Sequence, residues 1–405
     1  MVPLTLAILA VAAFPDVSPD PATLKLTADD IRKAESLIPK LGSTEFAVRE
    51  AADRDLKAMG RRALPVLAKT AKTALDPEIR VRSERLLARA AADDFNARLA
   101  TFLADTEGKY EHSLPGWPQF REATGKATDA RELFADIMRS EPNRDLIAGL
   151  ALSKEELVRR VLARRQELYA KLYPTAIFVN GGQRVMPVSY APSLVDAVTL
   201  LFADILTGDK DGARMVGVRA INTSTLLTRT GALRNDLWSA PETSALRQLF
   251  AKWVDTRESP LSLYQAMTTA TQMDMKDIAL KTAKKLLTID VGVTPMYRGY
   301  AITTLGKMGG KAELPTVVNY LADDTVVMVG NANREELQLR DVALAMAMLL
   351  TDRPPNEFGY LNNGNEMTVA TFSYFNCRFP DAVERERAFA RWIELEPKLV
   401  PMKKK

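Results

Sequence analysis

Apolar residues recur through the first hundred positions at intervals of three and four, the spacing of one face of an α-helix. After Thr27, the run ADDIRKAESLIPKL places Ile31, Ala34, Ile38 and Leu41 on one stripe, and Gly42 stands where a C-terminal cap belongs. Ser43 or Thr44 is placed to cap a second helix, whose stripe of Val48, Ala52, Leu56 and Met59 stops at Gly60. Leu64, Leu67, Ala68 and Ala71 make a third stripe, with Pro65 tolerable because it falls in the first turn. Asp76 and Pro77 then pair an N-cap with a proline at the first helical position. The pattern predicts short helices on short connections, which forces neighbours to run antiparallel.

The pattern also repeats. Displaced by 33 residues, Glu45, Phe46, Val48 and Arg49 fall on Glu78, Ile79, Val81 and Arg82. Displaced by 35, SPLSLYQAMTTA from Ser259 falls on TPMYRGYAITTL from Thr294, matching Pro260 with Pro295, Ala266 with Ala301 and Thr268-Thr269 with Thr303-Thr304. A third copy follows at a displacement of 42, with Arg298 and Ala301 on Arg340 and Ala343. Units of two helices and this length match α-solenoid repeats, in which one hairpin cannot bury its apolar stripe alone and leans on the next. In that reading the Val48-Arg49 pair holds a unit against its neighbour.

Three stretches break the helical pattern. AIFVNGGQRVMPVSY has two β-prone runs around Asn180-Gly181-Gly182 and predicts a hairpin; DTVVMVGNANREELQLRD is a second such excursion and NNGNEMTVATFSYF a third. Between the repeat blocks, LPGWPQFREATGKATDARELFADIMRSEP reads as a connector of short helices, with Trp117 and Phe120 available to pack. Ser153 and Glu156 form a capping box for a long helix with Leu157, Val161, Leu168 and Leu172 on one face. Its Arg159, Arg160, Arg164 and Arg165, diluted by Glu155, Glu156 and Glu167, read as a solvated face rather than a phosphate contact.

Composition narrows the chemistry. Over 405 residues, 47% hydrophobic and 26% charged positions place the chain in the globular range, so wholesale disorder is not expected. Lys and Arg number 55 against 51 Asp and Glu, so no field of one sign draws nucleic acid. One cysteine, Cys377, excludes an intramolecular disulfide, and with one histidine, His112, no Cys/His zinc cluster can be assembled. Cys377, set among aromatics, reads as a buried small residue rather than a reactive thiol. His112, in the polar stretch GKYEHSLPGW, reads as an exposed loop imidazole.

No G-x-x-x-x-G-K-[ST] or G-x-G-x-x-G loop is present. GKMGGK, from Gly306 to Lys311, reads as an inter-helix turn whose special dihedrals Gly309-Gly310 supply. Asp209 and Asp211 in GDKDGAR fit a turn that touches a cation only weakly, and the PMKKK terminus reads as a frayed basic tail. No residue is singled out as catalytic, cofactor-binding or metal-ligating, and no cofactor is expected.

At the amino end, the apolar run of MVPLTLAILAVAAFPDVSP is too short to span a bilayer as a mature helix, which takes about 20 residues. It suits the apolar region of a secretory signal, with Ala10-Val11-Ala12 as a small-x-small cleavage site but no Lys or Arg ahead of it. No other segment reaches spanning length without charges, so no stable membrane insertion is expected.

LIPKLGSTEFAVREAADRDLKAMGRRALPVLAKTAK resembles the HEAT-like repeats shared with phycobilisome lyases, in the exported versions found in planctomycete bacteria. The connector, LRDVALAMAMLLTDRPPNEFGY and ERAFARWIE look like the rest of that protein type, so the likeness touches residues 30–395. The resemblance implies an all-α, right-handed α-solenoid used as a protein-interaction surface, with no catalytic residues to carry over.

The expected organisation is a signal peptide over 1–18, HEAT-like repeats over 19–104, and a helical connector and long helix over 105–175. A β-hairpin insertion over 176–191, C-terminal α-solenoid repeats over 192–352 and an irregular cap and basic tail over 353–405 complete it. The expected function is a non-catalytic scaffold of the bacterial cell envelope with a protein partner. The alternatives are a carboxylate-based hydrolase of envelope polysaccharide, with its cleft on the concave face, and a cytoplasmic HEAT-repeat adaptor.

Overall fold

A computed structural model describes residues 17–174, 177–179, 183–185, 188–208, 223–289, 292–329, 336–361 and 367–399. The apolar stretch over 1–16, Asn180, Gly181 and Gly182, Asp209, Asp211 and residues 400–405 lie outside these residues. The described chain is predominantly helical, as the spacing of apolar residues predicts. Contacts divide it into two compact units, residues 1–118 with 131–136, and residues 119–130 with 137–405.

The first unit is built on α1 (Ala28–Leu37), α2 (Phe46–Met59), α3 (Leu64–Thr73) and α4 (Pro77–Ala104). Thr27 and Asp30 form a reciprocal capping box on α1, and Asp76 accepts from the N–H groups of Glu78 and Ile79 at the start of α4. The predicted stripes make the core: Ala34, Leu37, Leu41, Ala52, Leu56, Met59 and Leu67 pack with Leu86 and Ala90. Gly60 ends α2 with φ +53°, a conformation L side chains rarely adopt.

Three local expectations are corrected. Gly42 is not a left-handed cap: α1 ends at Leu37 and a 3₁₀ turn, Pro39–Gly42, follows. A Cβ on Gly42 would lie 2.9 Å from Ile79 Cγ1, so close approach to α4 requires the glycine. Glu45, rather than Ser43 or Thr44, is the N-cap of α2, and its side chain makes no capping bond. Finally, α4 runs unbroken for 28 residues instead of ending as a short hairpin helix.

The second unit contains α5 (Trp117–Thr124) in part, α6 (Ala130–Arg139) in part, α7 (Glu141–Ala148), α8 (Lys154–Leu172) and α9 (Leu194–Thr207). Between α8 and α9, β1 (Ile177–Val179) pairs antiparallel with β2 (Gln183–Val185), Phe178 opposite Arg184, as the hairpin signal predicts. Then follow α10 (Thr223–Arg229), α11 (Gly231–Ser239), α12 (Ala245–Asp255), α13 (Pro260–Gln272), α14 (Lys276–Leu287), α15 (Pro295–Thr304) and α16 (Leu314–Val318). A second two-stranded ladder, β3 (Val326–Met328) with β4 (Leu337–Gln338), leads into α17 (Leu339–Leu350), and α18 (Ala382–Leu395) closes the chain. The third β-prone excursion forms no strand among its described residues; Tyr374–Asn376 is a 3₁₀ turn.

The helices matched by sequence repetition, α13, α15 and α17, pack in that order, α13 on α15 and α15 on α17, with α14 against both α13 and α15. Ser259 caps α13 through its side chain, whereas Thr294, its counterpart before α15, makes no such bond. α17 is buried on nearly every side and forms the centre of a core with Ile302, Leu305, Val317, Phe358, Phe379 and Trp392. The GKMGGK turn divides its glycines differently from expectation. Gly310 alone takes positive φ, +62°, while Gly306 sits where a Cβ would meet Met346 Sδ at 2.0 Å.

Candidate functional site

The chemistry-bearing side chains gather in two places, one in each unit. In the first unit Asp105 follows the last residue of α4 and is 2% exposed. Its Oδ1 accepts the Lys109 N–H at 2.8 Å, and Oδ2 accepts the Tyr110 N–H at 3.1 Å and Arg131 Nη2 at 3.0 Å. His112 Nε2 lies 3.1 Å from the same Oδ2. Burial alone would raise this carboxyl, but the Tyr110 and Lys109 amides, His112 and Arg131 outweigh it and hold the group below the usual range. Asp105 is therefore an ionised hub that fixes the loop after α4.

His112 is thus a buried imidazole, not the exposed one expected from its polar neighbours; it is 8% exposed and packs edge-on to Phe102 at 5.4 Å. Arg131 lies over the Phe102 and Trp117 rings at 4.6 and 5.2 Å and donates to the Phe102 carbonyl at 2.9 Å. A cleft of about 270 Å³ opens beside the imidazole, lined by Pro21, Leu24, Lys25, Asp94, Arg98, Ser113 and Leu114.

In the second unit, Asp204 sits near the end of α9, a helix apolar on almost every side. It receives Arg165 Nη2 from α8, Trp253 Nε1 from α12 at 3.2 Å and, through its carbonyl, Arg257 Nη2 at 3.0 Å. Arg165 also donates through Nε to Thr223 Oγ1 at 3.0 Å, and Arg257 lies over the Trp253 ring at 5.1 Å. A small cleft of about 50 Å³ runs among these groups, with Ser262 and Gln265 of α13 on its wall. A second ion-pair group on the same helices joins Arg164 of α8 to Asp196 of α9, which also accepts Asn143 Nδ2 at 3.0 Å. Burial would raise Asp196, yet its bonds from Ser193, Asn143 and Arg164 bring it below the usual range.

The arginine face of α8 is therefore split. Arg159 and Arg160 remain at the surface and pair with Glu156, whereas Arg164 and Arg165 turn inward to Asp196 and Asp204. The expectation of a solvated face fails because the positions facing α9 meet acids inside an apolar helix, where an unpaired charge is costly. The two acids within the otherwise apolar LVDAVTLLFADILT, Asp196 and Asp204, are the available signal, since a buried carboxylate demands a cation or donors nearby.

Cys377 has no exposure, and burial, then the nearby Asp341, push its thiol far up, in keeping with an inert packed residue. Asp341, also without exposure, accepts Arg385 Nε at 3.0 Å and the Gln338 N–H at 2.9 Å; burial dominates and pushes it up to about 6. The Val48-Arg49 pair and its echo behave unequally. Arg82 spans to Glu50 and Asp53 of α2, whereas Arg49 bonds back to the Ser43 and Thr44 carbonyls beside its own helix. Among the described residues no helix is long and apolar enough to cross a membrane, and no group of three His, Cys, Asp or Glu could hold a metal ion.

Aromatic rings connect the repeated helices on one flank. Tyr264 of α13 stacks on Tyr297 of α15 at 4.3 Å and 9°, and Tyr300 lies 5.1 Å from Tyr264 and 4.9 Å from Tyr374. Gly299 holds the position in α15 that Tyr264 holds in α13, and Tyr374 packs over it; a Cβ there would lie 3.3 Å from the ring. Phe375, 42% exposed, extends the series 4.1 Å beyond Tyr374. No protein-family model, no curated protein and no solved structure matches the chain.

Proposed function

We propose that the chain is a HEAT-like α-solenoid of the cell envelope that acts as a scaffold, capturing a protein partner without transforming it. The observation that carries the reading is the run of Tyr264 on α13, Tyr297 and Tyr300 on α15, and Phe375 in the 3₁₀ turn beside them. The three tyrosines are half-buried and Phe375 is exposed, so rings already held by neighbours present their edges and faces at low entropic cost to a partner. Tyrosine is also over-represented among the residues that dominate binding energy. The order α13, α15, α17, each laid on the last, supports the solenoid, because a surface built from repeated units is extended rather than concave around one small ligand.

The charge distribution supports the same reading over a nucleic-acid binder, since net charge is only +4 and the inward arginines of α8 are consumed by acids. A carboxylate hydrolase calls for two acids lining one cleft, one of them with raised proton affinity. Asp341, the carboxyl pushed upward among the described residues, has no exposure and is paired with Arg385.

Crosslinking in cells followed by mass spectrometry and fractionation tests the proposal. Crosslinks to a protein partner should cluster around α13, α15 and residues 374–375 in an envelope fraction, and Tyr297→Ser with Phe375→Ser should remove them. A partner mapped only to other surfaces, or unaffected by the two substitutions, would overturn the assignment of this flank. A cytoplasmic protein retaining Met1 would overturn export.

A further inference from the structure

One tyrosine pair is arranged for chemistry between the rings themselves, whether or not the flank captures a partner. Tyr264 of α13 and Tyr297 of α15 lie 4.3 Å apart at 9°, so their planes are separated by no more than that distance and ring carbons face ring carbons across two repeated helices. By contrast, Tyr264 with Tyr300 is tilted by 53°, Tyr300 with Tyr374 by 69°, and Tyr169 with Tyr173 by 48°. Tyr264 and Tyr297 are both half-buried, so neither ring is sealed from a small reagent.

Two phenols that have each lost an electron couple from a face-to-face arrangement, because there the half-filled π orbitals overlap. Burial, and then the neighbouring Tyr300, push the Tyr264 phenol up to about 12, so at neutral pH it keeps its proton and gives up electron and proton together. No disulfide can join these helices, since the chain has one cysteine and it is buried.

We propose that Tyr264 and Tyr297 are an oxidative crosslinking site, which staples α13 to α15 as a dityrosine when the protein meets hydrogen peroxide and a haem peroxidase. Each phenol loses one electron and one proton, and the peroxide takes up both pairs and leaves as two waters. The two radicals then form a bond between their Cε carbons, and the hydrogens on those carbons pass to the oxygens and restore the phenols. The product is a biphenol with two hydrogens fewer than the parent rings. It closes the chain between positions 264 and 297 and so restricts the unfolded state, as a disulfide would.

The test treats full-length protein with hydrogen peroxide and a haem peroxidase under conditions that link free tyrosine, then digests the monomer with trypsin. Cleavage after Arg257, Lys276, Lys285, Arg298 and Lys307 leaves Tyr264, Tyr297 and Tyr300 on separate peptides, so mass spectrometry reads the linked pair directly. The expected product joins 264 to 297, is lighter by two hydrogens, and forms within one chain at a rate independent of protein concentration. Tyr297→Phe keeps a ring to stack but not its phenol, and should abolish the link, whereas Tyr300→Phe should leave it in place. The linked protein should also show a higher urea midpoint than equally treated Tyr297→Phe, a comparison that cancels any methionine oxidation. No linked product, links chiefly through other tyrosines or between chains, a link that survives Tyr297→Phe, or no gain in urea midpoint would each overturn the proposal.

Discussion

Gly306 is where one missing methyl group matters most. Its α-carbon faces Met346 of α17 so closely that a Cβ would overlap the sulfur, with Met346 Cε and Cγ also within 3 Å. Gly306→Ala should cost about 1–3 kcal/mol through overpacking, read as a lower midpoint in urea denaturation. Combining it with Met346→Ala should make the glycine substitution far less harmful on that background, because the two side chains compete for one volume. The sequence marked this turn as special but assigned the reason to dihedral freedom at Gly309-Gly310. Only Gly310 needs it, since packing against a helix some forty residues away leaves no trace in local spacing. His112 was misjudged for a related reason. Its neighbours Lys109, Glu111 and Ser113 are polar, yet the ring is drawn inward by Asp105, whose role depends on Arg131 much further along the chain.

At the scale of elements, helix starts were the most legible feature. Thr27, Asp76, Ser153 and Ser259 each cap the helix predicted after them, because an N-cap is a bond between residues two or three positions apart. Asp381 works the same way on α18, accepting the Glu384 N–H at 2.9 Å, and Asp381→Ala should lower stability by about 1 kcal/mol in chemical denaturation. How elements are tied together was much less legible. Asp204 joins α8, α9 and α12 through Arg165, Trp253 and Arg257, partners spread over some ninety positions. Asp204→Ala should therefore be far more damaging than loss of a cap, about 3–5 kcal/mol, since it takes the carboxylate away from the largely buried Arg165 guanidinium and the acceptor away from Trp253 Nε1. Arg159→Ala, at the exposed end of the same arginine series, should change stability by no more than about 0.5 kcal/mol and so serves as the matched control.

For the whole molecule, carboxylates of opposite character predict how stability responds to acid. Asp105 in the first unit has its proton affinity depressed, so its contribution is complete above the unfolded carboxylate range, near about pH 4, and is lost as pH falls through its lower folded value. Asp341 in the second unit is raised to about 6, so its contribution is complete below about pH 4 and is lost as pH rises through about 6. Asparagine at either position removes the titration while keeping the shape. Relative to the parent protein, Asp105→Asn should be most destabilised at about pH 7, with the gap narrowing below about pH 4. Asp341→Asn should move the other way, its deficit shrinking as pH rises from about 4 to about 7. An amide in place of the Asp341 carboxylate also presents a donor to either Arg385 or the Gln338 N–H, but that cost does not vary with pH and leaves the slope intact. Urea midpoints measured for each variant and the parent protein across this pH range read the two slopes. Parallel slopes for the two variants would contradict the opposed environments of the two acids.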